Sequence, residues 1–63
     1  MRLDFIVYRR KKLGYSQAVM AEKLGFANAS VYCKYERGEY KFNGDILPKL
    51  AKILKCRISA FFN

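Results

Sequence analysis

The chain has 63 residues, thirteen Lys and Arg against five Asp and Glu, a formal charge of +8, and 52% hydrophobic residues. A chain this short builds one domain, residues 1–63, around one small core, burying roughly 60% of the surface its unfolded form exposes; it is too apolar and varied to be a disordered tail. The charge calls for a polyanionic partner, nucleic acid first, and no apolar run or leader-like start suggests a membrane span or signal peptide, so a cytoplasmic, nucleoid-associated protein with no membrane partner is expected.

Leu3, Ile6 and Val7 share one face of a first predicted helix that ends near Lys12, with Leu13 and Gly14 closing it and Arg9, Lys11 and Lys12 on the other face. Ser16 stands as N-cap of a second helix, in which Gln17, Met20, Ala21 and Leu24 follow at i, i+3, i+4 and i+7 until Gly25 stops it. Asn28 is a good N-cap for a third, with Val31 or Tyr32, together with Tyr35, facing inward and Gly38 at its end. Residues 39–44 have no period and form the long loop, in which Phe42, like Phe5 and Tyr8, is a candidate for exposed apolar surface.

Asp45 is placed to cap a fourth helix that holds Pro48 in its first turn, where the missing N–H costs nothing. Leu47, Leu50, Ala51 and Leu54 form its inner stripe, and Lys49, Lys52 and Lys55 its wet face. A last turn over residues 59–62 completes an all-α, compact bundle of about five short helices; no segment alternates with the period of a strand.

The chemistry available points to binding, not catalysis. There is no histidine, no carboxylate pair at helical spacing and no glycine-rich phosphate loop, so no enzyme, cofactor, metal site or small-molecule ligand is expected. Cys33 and Cys56 have neither zinc-ligand spacing nor histidine partners; one disulfide is formally open to them, and two buried or half-buried thiols is the favoured reading. The informative stretch is 15–38: a capped helix with small Ala21, a turn at Gly25, and a second capped helix ending in Glu36, Arg37, Gly38. A small residue where two helices cross and a residue tolerant of positive φ between them are what a helix-turn-helix needs.

With Arg10, Tyr15-Ser16-Gln17, Met20-Ala21-Glu22-Lys23-Leu24-Gly25-Phe26, Lys34-Tyr35-Glu36-Arg37-Gly38 and Ile46-Leu47-Pro48-Lys49-Leu50-Ala51-Lys52-Ile53-Leu54 in this order and spacing, the chain resembles the lambda-repressor-like group of phage repressors, Cro proteins and bacterial regulators. The resemblance implies sequence-specific binding of double-stranded DNA by a Cro-like transcriptional regulator, a repressor by preference. Gln17 would grip a phosphate with help from Ser16, and the third helix would enter the major groove with Asn28, Ala29, Ser30 and Lys34 toward bases or flanking phosphates. Arg37, Tyr40, Lys41 and Asn43 have the chemistry to touch the phosphate backbone. Arg10 would pair with Glu36.

The stretch from Gly25 to Glu36 is one residue longer than the common family pattern, with the extra residue somewhere in 26–30. If it lies in the turn, Tyr32 takes the inward position; if the helix starts earlier, Val31 does and Tyr32 rotates toward DNA. Tyr32 inward is favoured. A recognition unit this small gains affinity by reading two half-sites, so a pseudo-palindromic operator and a homodimer, at least on DNA, are expected, with Ile58, Phe61 and Phe62 as candidate contacts. A single domain of this kind would act without a sensory or cleavable partner domain. The rival reading is a helical protein-protein interaction module on the same fold. It would need an exposed apolar patch, whereas DNA binding needs Gln17, Lys34, Arg37 and Lys41 on one face.

Overall fold

The computed structural model describes residues 1–62, and among them the chain forms four α-helices and one 3-10 turn. These are α1 (Leu3–Lys12), α2 (Gln17–Leu24), α3 (Ala29–Glu36), α4 (Ile46–Ile53) and the turn Ile58–Phe61. None of the helices is long and apolar enough to cross a membrane.

Local sequence starts and stops these elements. The Ser16 hydroxyl accepts from the Val19 N–H at 3.1 Å, and the Asn28 amide oxygen accepts from the Val31 N–H at 3.1 Å, so both expected N-caps are formed. The expected cap of α4 differs. Asp45 makes no capping hydrogen bond; instead the Asn43 amide oxygen accepts from the N–H groups of Asp45 and Ile46, each at 3.0 Å, and the Asn43 carbonyl accepts from Leu47. Asn and Asp cap about equally well, so the chain has two candidates here, and the upstream one wins.

All four helices end in the same device, with paired hydrogen bonds closing a left-handed residue just past the last turn. At α2, the N–H of Gly25 reaches the Glu22 carbonyl and that of Phe26 the Ala21 carbonyl, with Gly25 at φ +79°. Gly14 and Gly38 serve α1 and α3 in the same way, but at α4 the left-handed residue is Lys55, at φ +56°. A Cβ is strained there. Lys55→Gly is therefore expected to raise stability by about 0.5–1 kcal/mol, the relieved strain less the extra entropy of an unfolded glycine. Thermal unfolding of the two proteins checks this.

The core gathers Ile6 from α1, Met20, Ala21 and Leu24 from α2, Tyr32 from α3, Leu50, Ala51 and Leu54 from the α4 region, and Phe61. Of the inner stripe expected of α4, Leu50, Ala51 and Leu54 are buried and Leu47 is half-buried against the core. Tyr32 is fully buried while Val31 is half-buried, so Tyr32 takes the inward position. Phe42 departs from expectation. It is 8% exposed and packs on the Tyr35 ring at 5.0 Å, so the long loop is anchored to the core by its own aromatic residue. Phe5 is half-buried against Phe61, at 6.2 Å between ring centres, and only Tyr8 of the three aromatics is truly exposed.

Phe61 is fully buried and cannot be a contact for a second chain. Its place is the base of the core, where the Phe61 carbonyl also accepts from the Arg2 N–H at 2.6 Å and ties down the start of the chain. Both cysteines are half-buried free thiols.

Candidate nucleic-acid interface

Helices α2 and α3 make the most extensive pairing in the fold, and the crossing is tied at one point by charge. Arg10 of α1 donates Nε to Glu36 Oε2 at 2.8 Å and a second guanidinium N–H to Oε1 at 3.2 Å, the side-by-side geometry that suits a guanidinium and a carboxylate. Its third donor goes to the Tyr15 carbonyl at 2.9 Å. Glu36 Oε1 also accepts from Gln17 Nε2 at 3.0 Å. One buried carboxylate thus joins α1, α2 and α3, and because a carboxylate only accepts, the Gln17 amide nitrogen must face it.

Burial by itself would push the Glu36 carboxyl up, but the hydrogen bonds from Arg10 and Gln17 outweigh it and hold the group below its ordinary range. Tyr32 lies beside this junction. Desolvation first, and then its interaction with the neighbouring Glu36 carboxylate, push its hydroxyl far above the usual tyrosine value. The buried oxygen meets full hydrogen-bonding geometry with no group, although it lies close enough to the Glu36 carboxylate for each to act on the other. Leaving a buried hydroxyl unpaired costs about 1–3 kcal/mol, so Tyr32→Phe is expected to stabilise the domain, by about 1 kcal/mol in urea denaturation. A loss of similar size would mean that the hydroxyl does bond to Glu36.

On the outer side of the same crossing, Gln17, Ala29, Ser30, Cys33, Lys34 and Arg37 line one shallow open groove. Five of these were singled out from the sequence: α3 displays Ala29, Ser30 and Lys34 at helical spacing on one face, Arg37 follows just past its end, and Gln17 comes from the start of α2. Cys33 was not. Its position, four residues after Ala29 and three after Ser30, was a sufficient signal once the register of α3 was settled.

The other residues expected at the interface do not line this groove. Ser16 and Asn28 are exposed at the two helix starts, with their oxygens engaged as caps. Tyr40 stands next to α3: its ring takes the Lys34 ammonium at 5.6 Å and meets Tyr35 edge-on at 5.4 Å, while Tyr35 stacks on Phe26 at 4.7 Å. This aromatic ladder holds the turn, α3 and the loop together, and sequence periodicity did not reveal it. Arg37 pairs with Glu39 at 2.6 Å on the exposed surface, a contact worth little in water and easily exchanged for a phosphate. Lys41 is not in the groove; it lines a second one with Met1, Leu3, Gly38, Tyr40, Phe42, Leu47 and Phe62. Asn43 is exposed, and its side-chain amide oxygen is engaged in capping α4.

A helix-turn-helix family model matches residues 6–61, which covers α1 through the closing 3-10 turn. The chain belongs to the lambda-repressor-like helix-turn-helix family. Members of this family are DNA-binding transcription regulators, and the groove lies on the outer face of the helix that follows the turn. No curated protein and no solved structure matches the chain.

Proposed function

We propose that this chain is a small Cro-like repressor that inserts α3 into the major groove of a pseudo-palindromic operator and pairs with a second copy on the DNA. The observation that carries the reading is the groove itself, where Gln17, Ala29, Ser30, Lys34 and Arg37 share one exposed face. Lys34 and Ser30 offer hydrogen bonds to base edges and Ala29 a methyl surface for thymine. Gln17, held by Glu36 through one amide hydrogen, keeps the other for a phosphate oxygen. Ser16, Asn28, Arg37, Tyr40, Lys41 and Asn43 supply further backbone contacts from the rim and the loop. The role is that of a binder and not of an enzyme, in the cytoplasm where its DNA lies.

Pairing is expected to depend on DNA. A standard interface takes about 800 Å² from each partner, roughly a fifth of the 4097 Å² that this chain exposes. The large exposed apolar side chains are scattered, Met1, Tyr8, Val19 and Tyr40 besides Ile58 and Phe62, and each copy carries +8. Phosphates must offset that repulsion before two copies can meet.

Selection from a randomised duplex pool, followed by sequencing of the bound fraction, tests the reading. A pseudo-palindrome with half-sites about one helical turn, roughly 34 Å, apart and steep salt dependence is the expected result. Weak, sequence-blind binding would instead favour the interaction-module reading, for which the groove lined by Met1, Tyr40, Phe42, Leu47 and Phe62 is the apolar surface available.

A further inference from the structure

The groove accounts for little of the charge. Of thirteen cations only Lys34 and Arg37 line it. A second concentration lies where α1 and α4 end. Arg9 donates Nε to the Leu54 carbonyl at 2.8 Å and a terminal guanidinium N–H to the Lys55 carbonyl at 3.2 Å, clamping the two helix ends together. Around the clamp stand Lys12, one turn beyond Arg9, Lys52, one turn before Lys55, and Arg57, two residues after it, all exposed. Tyr8, 57% exposed, shares the α1 face of Lys12 at i, i+4.

Two observations set this surface apart from ordinary solubilising charge. Soluble surfaces intersperse both signs, yet neither residues 5–21 nor 46–62 contain a single Asp or Glu. Among the described residues none of Lys12, Lys52, Lys55 and Arg57 is ion-paired. The second is Lys55 itself, which holds the left-handed position that glycine fills at the other three helix ends. A charged side chain kept against backbone strain points to a use for that side chain.

The surface does not face the recognition groove. Arg9 and Arg10 are consecutive, so their side chains leave α1 about 100° apart, Arg10 toward the end of α3 and Arg9 toward the end of α4. Helix α4, about 12 Å long, carries the chain from the loop after α3 to this end.

We propose that Tyr8, Lys12, Lys52, Lys55 and Arg57, gathered by the Arg9 clamp, bind the phosphate backbone of a second DNA segment, so that a domain seated on its operator also holds a neighbouring duplex. Ammonium, guanidinium and phenol donors are the groups that contact phosphate oxygens without reading sequence. The inference builds on the reading of the α3 groove as the sequence-reading face, but its test does not depend on it.

The protein is loaded on an immobilised operator duplex of about two helical turns, roughly 20 base pairs, and capture of a second, labelled duplex of unrelated sequence is measured. The wild type is expected to capture it. The triple variant Lys52→Gln, Lys55→Gln, Arg57→Gln is expected to keep operator affinity and its salt slope while capture falls about tenfold or more, as the loss of three phosphate contacts implies. Lys55→Gly alone should weaken capture while raising Tm, a pair of opposite signs that a purely structural lysine would not give. Absence of capture by the wild type, or capture unchanged in the triple variant, overturns the proposal. So does a parallel fall in operator affinity and salt slope, which would place these cations on the operator duplex itself. Should no duplex be bound sequence-specifically, the operator reading fails, while sequence-blind bridging by the wild type and not by the triple variant would still be read directly on any loaded duplex.

Discussion

Arg10→Ala is expected to cost the domain most of its stability. The variant strands the Glu36 carboxylate in a site where the paired side chains are 9% and 6% exposed, and removing one partner of such a pair costs about 3–5 kcal/mol. A domain of this size has about 3–9 kcal/mol in all, at about 0.05–0.15 kcal/mol per residue. Glu36→Ala should be as damaging, since it strands Arg10 and releases Gln17 together. A double replacement by apolar residues of similar volume, Arg10→Met with Glu36→Leu, should recover much of the loss because no charge is left buried. Urea denaturation of the three variants tests this, and equal stability of Arg10→Ala and wild type would contradict it.

The same carboxylate makes stability depend on pH. Glu36 is held below its ordinary value of 4.5 in the folded chain, so the unfolded state binds a proton first as pH falls. Its contribution is therefore complete above about pH 4.5 and is lost progressively as pH drops from there through the lower folded value. In Glu36→Gln that part of the acid dependence should disappear.

Lys34→Ala is expected to lower operator affinity by about 1–3 kcal/mol, roughly five- to more than a hundredfold, and to relax base preference at one position of each half-site. Lys34 is half-buried, with its ammonium parked over the Tyr40 ring; rotation away from that ring gives it reach into the groove it lines. If Lys34 instead holds a phosphate, the variant weakens all sequences alike and the salt slope falls by about one per copy. Competition by a panel of single-base operator variants separates the two.

Most of the fold was legible because local and tertiary signals agree. Ser16, Asn28, Gly14, Gly25 and Gly38 bound the helices where capping chemistry puts them, and the apolar spacing in α2 and α4 matches the buried faces. What was missed depends on contacts distant in sequence. Arg9 reads as a solvated charge, and only the approach of the α4 end gives it two carbonyls to cap. Phe42 sits in an aperiodic loop, so nothing local announces that Tyr35 will bury it. Lys55 in a left-handed turn runs against propensity. At the candidate interface, Gln17, Ala29, Ser30, Lys34 and Arg37 emerged from helix register plus family resemblance. Cys33 was set aside as a thiol before its place on α3 was considered.

On the proposed function, the groove between the start of α2 and the outer face of α3 receives DNA. The most direct test is titration of the isotopically labelled protein with a duplex recovered from the pool selection, following backbone amide shifts by NMR. Saturable shifts concentrated at Gln17, Ala29, Ser30, Cys33, Lys34 and Arg37 are the predicted result. Shifts centred on Met1, Leu47 and Phe62, with the amides of α3 unmoved, would contradict it.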